Sequence, residues 1–321
     1  MRVLLKRKAF TMIELLFVIV ILGIVGGIAL EAIRQYYNGI YKTITTNKRV
    51  SEADHILDQL TKYFENAISS SIVNLDQNNS IGCYGPPVFG DTNDYTVAFI
   101  GVDNDSLRGV SGPPGWSEEA RLLTNNDLNM SDANLSMADS IIQALYPASN
   151  LAGSAIYDSD SVDVNACTRF NWNGAGNNDG YHRLSIAANP ITPTTIRLNN
   201  DNNATHGHRK YLFRTGYAFR VQNDGNFTMY SNFRPWAAER YLGTSVGLNV
   251  GANVKASLLG ENVAHFYANY NATDFAGNAG VNDRGLVWTL KVCMRGMDAD
   301  LKDTDDNATQ ICRERRVHVR Y

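Results

Sequence analysis

The sequence predicts an α+β fold: a long N-terminal helix, transmembrane in its first half and amphipathic in its second, packed on an antiparallel β-sheet with a loop-rich insertion. Three observations predict it. Residues 10–30 form an apolar run with a single charge, Glu14. Further on, apolar residues recur at three- and four-residue steps, at Ala53, Ile56, Leu57, Leu60, Phe64, Ala67 and Ile68. That is the period of a helix with one buried face. From about residue 210 the pattern becomes short apolar segments divided by turn residues, as antiparallel strands require. A long helix followed by a run of strands is the α+β order.

The apolar run is the first element. At 1.5 Å per residue it spans about 31 Å, the thickness of a bilayer core. Arg2, Lys6, Arg7 and Lys8 precede it, so the body lies across the membrane from the cytoplasm. A cleaved secretory signal would end in a small-residue cleavage site. Here the run continues through Gly26, Gly27 and Ala29 into Ile33, Tyr36 and Tyr37 without a break. A plain anchor leaves Glu14 unexplained, because an acid in hydrocarbon costs on the order of 2.5–3.5 kcal/mol and is normally paired and functional.

No proline occurs before Pro86, so one helix is expected from about residue 11 to about residue 70, close to 90 Å long. Gly23, Gly26, Gly27 and Gly39 are the points where it can bend. A coiled coil is the alternative for the amphipathic stripe, but about two heptads is short for one.

The body comes next. Residues 72–203 are rich in Asn, Asp, Gly, Ser and Pro, with turns expected at 74–80, 85–87, 110–115 and 174–180. Strands are expected at 95–101 and 194–198, and a helix at 133–145. Segments 211–222 and 226–231 flank Asn223-Asp224-Gly225, a hairpin turn signature. Further strands are expected at 262–271, 285–295 and 309–321.

Charge narrows the function classes. The net charge is −3, and removing the first nine residues with their four cations leaves −7. An acidic body argues against nucleic acid as the main partner. The one downstream basic cluster, Arg313, Arg315 and Arg316, reads as part of a strand. The four cysteines contain no CxxC pair, which disfavours zinc and redox motifs. An even count fits disulfides in an oxidising compartment; four free thiols are the alternative. Cys293 and Cys312 fall in the last two strands, and closing that loop contributes about 3 kcal/mol. Cys83–Cys167 then follows by elimination.

The stretch Lys6-Arg7-Lys8-Ala9-Phe10-Thr11-Met12-Ile13-Glu14-Leu15 resembles the class III signal of type IV pilins and type II secretion pseudopilins. The resemblance covers about 30 residues. It implies cleavage by prepilin peptidase between Ala9 and Phe10, then methylation of the Phe10 amine. Ala9 stands where most members have Gly. It further implies that Glu14 neutralises the Phe10 amine of a neighbouring subunit and so fixes axial register. On this reading residues 1–9 are the leader, 10–30 the transmembrane segment, 31–70 the amphipathic continuation, 71–205 the insertion and 206–321 the sheet region. The run Leu258-Leu259-Gly260-Glu261-Asn262-Val263-Ala264-His265-Phe266-Tyr267-Ala268-Asn269-Tyr270, followed by closing strands, resembles the larger minor pilins and pseudopilins.

The pattern Asp-x-Asn-x-Ser/Thr occurs six times, centred on Asn78, Asn129, Asn134, Asn203, Asn226 and Asn307. It resembles the acceptor of bacterial oligosaccharyltransferases, and all six fall in expected loops or turns. The alternative is that these residue types cluster because they make turns. Asp298, Asp300, Asp303 and Asp305, with Asp306, form an acidic loop that reads as a solvated turn or a Ca²⁺ site. Asp158, Asp160 and Asp163 repeat that pattern more weakly, and His206 and His208 are a weak metal pair. No other cofactor is expected. Trp116, Trp172, Trp236 and Trp288 read as packing residues in preference to a binding surface. No GxSxG, HExxH, Walker or GxGxxG arrangement occurs in a suitable context, so an enzyme is not expected.

The resemblance implies a structural subunit, a minor pilin or pseudopilin of a type II secretion pseudopilus or type IV pilus, placed at initiation or near the tip. Its partners would be other pilin-like subunits, prepilin peptidase and the inner-membrane assembly platform. Its location would be a single inner-membrane pass with a periplasmic body, then the filament. The alternative is a tip adhesin or ligand-binding minor pilin.

Overall fold

The computed structural model describes residues 11–75, 81–82, 96–107, 112–123, 127–147, 149–158, 170–172, 183–187, 192–199, 209–242, 249–270, 287–295 and 310–319. Helix α1, Met12–Phe64, runs unbroken across all four glycines, and at the standard rise it is about 80 Å long. Its second half buries Ala53, Ile56, Leu57, Leu60 and Phe64, the stripe expected from the periodicity.

The helix stops short of the expected residue 70. Ala67 bridges to Gly101, the Ile68 N–H donates to the Ile100 carbonyl at 2.8 Å, and the Val102 N–H donates to the Asn66 carbonyl at 2.9 Å. Ala67 and Ile68 are fully buried, but as partners of a strand. The strand offers unpaired backbone groups that another helical turn could not satisfy.

Strands β1 (Val73–Leu75), β2 (Ile81–Gly82) and β3 (Thr96–Val102) follow; Asn74 and Leu75, expected in a turn, lie in β1. Next come β4 (Arg121–Leu122), β5 (Asp127–Asn129) and helix α2 (Leu135–Leu145). Strands β6 (Ala155–Asp158), β7 (Arg183–Ser185) and β8 (Thr195–Arg197) lead to the long β9 (Lys210–Val221) and β10 (Phe227–Phe233). The chain continues through β11 (Glu239–Arg240), β12 (Asn249–Val250), β13 (Lys255–Gly260) and β14 (Val263–Tyr270), and then β15 (Val287–Met294) and β16 (Ile311–His318).

The expected hairpin is β9–β10. Gly225 at its turn has φ 86°, a conformation that favours glycine, and its N–H donates to the Gln222 carbonyl at 2.9 Å. The main sheet runs β13-β10-β9-β3-β1-β2, with β6 and β7 continuing from β9. Its pairings are antiparallel. Strands β14, β15 and β16 form a second antiparallel sheet, and β4, β5 and β8 a third.

Both faces of the main sheet are covered. Along β3, Val97 and Phe99 join the α1 stripe, Phe219 and Phe227 of the main sheet, and Trp288, Leu290 and Val292 of the second sheet. Ala98, Ile100 and Val102 instead join Tyr157, Phe170, Phe213, Phe233 and Trp236 on the opposite face. A third cluster gathers Trp116, Leu135, Ile142 and Leu212 around α2. This is why every residue of β3 is buried: it has no solvent face to alternate with. Strands from residues 71–205 and from residues 206–321 pair within one sheet. All four tryptophans lie in these clusters.

Candidate assembly site

The site is the first half of α1. From Met12 to Ile44 the large apolar side chains stand exposed, Met12 at 92% and Leu30 at 69%. The segment is long and apolar enough to cross a membrane by length and composition. All its backbone groups past the first turn are paired within the helix, as hydrocarbon requires. A continuous apolar surface of this size does not stay in water. Tyr36, Tyr37 and Tyr41 are exposed just beyond the most apolar part, where a membrane interface places aromatic rings.

Glu14 occupies the first turn of the helix, its N–H donating to the Thr11 carbonyl at 3.0 Å. The positive end of the helix dipole favours a carboxylate there by about 0.3–1 kcal/mol. That is well below the roughly 2.5–3.5 kcal/mol cost of an acid in hydrocarbon, so the dipole alone does not stabilise Glu14 there. No ion pair to Glu14 occurs among the described residues. Ala9 and Phe10 lie outside the described residues.

The second half of α1 fixes how this apolar stem meets the body. Beside its buried stripe, Arg313 on β16 contacts Asp54 at 3.1 and 3.3 Å, and Arg315 contacts Asp58. Exposed pairs of this kind contribute roughly 0–1 kcal/mol each, so they orient the helix more than they hold it. The Arg315 hydrogen bond holds the Asp58 carboxyl below its ordinary pKa, against a smaller effect of desolvation. Two arginines of the basic cluster, Arg313 and Arg315, thus serve α1, and all three lie in β16, in keeping with its reading as part of a strand.

Cys293 and Cys312 lie opposite each other in the β15–β16 register and are bridged. Cys83 and Cys167 fall outside the described residues. So do Asn78, Asn203 and Asn307, the aspartates at 298, 300, 303 and 305, and His206 and His208. The three remaining acceptor asparagines differ in setting. Asn129 lies in β5, paired with Arg121 and Thr195, a correction to the expectation that all six sit in loops or turns. Asn134 caps α2, its side chain accepting from the Met137 N–H at 3.2 Å. Asn226 follows the hairpin turn and donates from Nδ2 to Asp224 at 2.6 Å. Among the described residues no group of side chains is arranged to hold a metal. Asp158, read as part of a weak oxygen cluster, is instead fully buried and receives Lys210 Nζ at 2.7 Å.

Sequence reasoning missed the buried ions. Arg214 donates to Asp103 at 2.5 Å and to Asp105 at 2.8 Å, with Asp103 fully buried. Burial works against the charge on Arg214, but the carboxylates and nearby tyrosines outweigh it and raise its pKa. Burial, reinforced by Tyr146, likewise raises the Tyr217 hydroxyl. The available signal was a cation at positions 210 and 214 of a strand otherwise buried on both faces.

A family model of the prokaryotic N-terminal methylation motif matches residues 4–30. Neither the curated proteins nor the solved structures give a significant match. The motif marks type IV pilin-like proteins, and the long exposed apolar helix behind it fits that mark.

Proposed function

We propose that the chain is a structural filament subunit, a minor pilin or pseudopilin of a type II secretion pseudopilus or a type IV pilus, acting at initiation or near the tip. One observation carries the reading: an unburied apolar stem with an acid in its first turn, joined without interruption to a helix docked in a folded body. In a membrane the stem's surface meets lipid; in a filament it meets the stems of neighbours. Cleavage between Ala9 and Phe10 would free an amine for Glu14 of the next subunit, and a buried charge is tolerable when paired. The body, at 321 residues with the stem, is large to repeat at every lattice position, which supports a minor role. Inner-membrane residence with a periplasmic body, and contact with prepilin peptidase and an assembly platform, follow from the same reading.

The test is Glu14→Ala. Breaking a buried pair costs about 3–5 kcal/mol, so the variant should remain in the membrane fraction while its share of sheared filaments falls on the order of a hundredfold or more. Undiminished incorporation, or a mature protein that retains Met1, would refute the proposal. A second reading, a ligand-binding minor pilin, draws on a polar cleft in the body described below.

Two covalent features belong to the proposal. Asn226, beside an exposed hairpin turn, is its best-placed glycan acceptor among the described residues, with Asn129, Asn134, Asn78, Asn203 and Asn307 as the others. A Cys83–Cys167 bridge would tie down residues 71–205. Intact mass and non-reducing peptide mapping of protein from its native host test both. A bare polypeptide mass removes the glycans, and a Cys83 peptide linked elsewhere removes the bridge.

A further inference from the structure

A cleft of about 70 Å³ opens where four parts of the body meet, lined by Tyr146 and Ser149 after α2, Arg214 of β9, Asn232 of β10, Arg234, Glu239, and Ala252 and Asn253 before β13. Its volume holds about five water-sized groups, enough for one edge of a small ring with the remainder in the mouth.

The polar lining is fixed before any ligand arrives. The Arg214 side chain is 7% exposed and anchored by Asp103 and Asp105, and its guanidinium lies 4.6 Å from the centre of the Tyr146 ring. Glu239 holds Arg234 through its backbone N–H at 2.8 Å and its guanidinium at 2.6 Å. Asn232 sits at φ 64°, at a break in the β9–β10 register, and donates its N–H to the Thr215 hydroxyl at 2.8 Å. Gly153 keeps space for Arg234, since a Cβ there would stand 2.5 Å from its Nη1.

Three polar atoms on these residues are buried and lack hydrogen-bond partners among the described residues: Arg214 Nε, Ser149 Oγ and Asn232 Oδ1. Buried polar groups are normally satisfied, so three around one cleft call for an occupant that supplies both donors and acceptors. Charge narrows its chemistry. Each guanidinium is already paired with a carboxylate, so a free anion finds no unneutralised cation. Asp103 and Asp105 pair with Arg214 from outside the lining, and Glu239, the carboxylate that lines the cleft, is engaged by Arg234, so a cation finds no free carboxylate there either. Neutral vicinal hydroxyls match the unpaired donors and acceptor, and a tyrosine ring beside them suits the apolar face of a pyranose.

We propose that this cleft binds a neutral sugar, one terminal hexopyranose residue, by one hydroxyl-bearing edge. The test uses the full-length chain in a phosphocholine detergent, which carries no sugar head group. Glucose, galactose, mannose and N-acetylglucosamine are each titrated by saturation-transfer NMR. At least one should bind in the millimolar range or tighter. Asn232→Gly removes the side-chain carbonyl while suiting the backbone at that position, and Ser149→Ala removes the hydroxyl. Each should weaken binding about tenfold, a factor expected of an uncharged hydrogen bond, with the denaturation midpoint unlowered. Absence of saturation transfer from all four sugars overturns the proposal. So does undiminished binding by the double variant, or displacement of the sugar by acetate or phosphate at lower concentration. Glu14→Ala should leave sugar binding intact, so the filament proposal and this one fail separately.

Discussion

Phe64 is where the stem is locked into the body, and Phe64→Ala measures that lock. The side chain is fully buried. Its ring lies 4.7 Å from Phe99 in edge-to-face geometry, 6.1 Å from Phe219 and 6.4 Å from Trp288. It therefore packs against two strands of the main sheet and one of the second sheet. Replacing a buried Phe by Ala costs about 3–5 kcal/mol in lost transfer energy and residual cavity. The edge-to-face pair adds about 0.5–1.5 kcal/mol to ordinary burial, and neighbours held by two separate sheets collapse poorly into the space. About 4 kcal/mol is the expected loss, roughly a thousandfold in the folding equilibrium. The assay is urea unfolding of the full-length protein in micelles, followed by tryptophan fluorescence, with Trp288 next to the cavity. Ile28→Ala, on the exposed stem at 67% exposure, is the control and should change body stability by less than about 0.5 kcal/mol. A loss below about 1.5 kcal/mol for Phe64→Ala, with an unchanged slope, would refute the claim that α1 completes the core shared by the two sheets.

Three further outcomes follow from the same contacts. Gly260→Ala would set a Cβ 2.5 Å from Cδ1 of the buried Ile56; overpacking of this kind costs about 1–3 kcal/mol, and a denaturation midpoint equal to wild type would contradict the close approach of β13 to α1. Cys312→Ser should lower stability by about 3 kcal/mol, as closing a loop with a sequence separation of 19 implies, measured against wild type under non-reducing conditions. Because the Asp58 pKa is lowered in the folded state from 3.8, its pairing with Arg315 stabilises above that value and is lost as pH falls through the folded value. A wild-type advantage over Asp58→Asn should therefore be seen at neutral pH and vanish in strong acid; an advantage that grows on acidification would reverse the sign of the argument.

Elements with a strong local period were legible in the sequence. The α1 stripe, the β9–β10 hairpin, α2 and the three C-terminal strands all stand within a few residues of where periodicity and turn chemistry put them. The end of α1 was not legible, since Ala67 and Ile68 continue the helical spacing and only an edge 30-odd residues away in sequence draws them out of it. The second face of the main sheet was hidden for a related reason. Strands β4 to β7 are two to four residues long, too short for a period to register, and β6 finds a partner in β9, far along the chain; β8 stands where a strand at 194–198 was expected. Buried ions are worse still: Arg214 and Asp103 are separated by 111 positions, and nothing local to either announces the other. The acid in the first turn of α1 could be read at once, because its oddity is local: one charge in an apolar run.

The continuity of α1 has a mechanical consequence. The helix holds no break between the exposed stem and the stripe that ends at Phe64, so tension on the stem enters the body along the axis of a stiff rod. The packed stripe from Ala53 to Phe64 then slides as a unit against strands on two sheets, in shear, with its contacts loaded together and not peeled one by one. Contacts loaded together share the tension, where an unzipping arrangement would expose them one at a time.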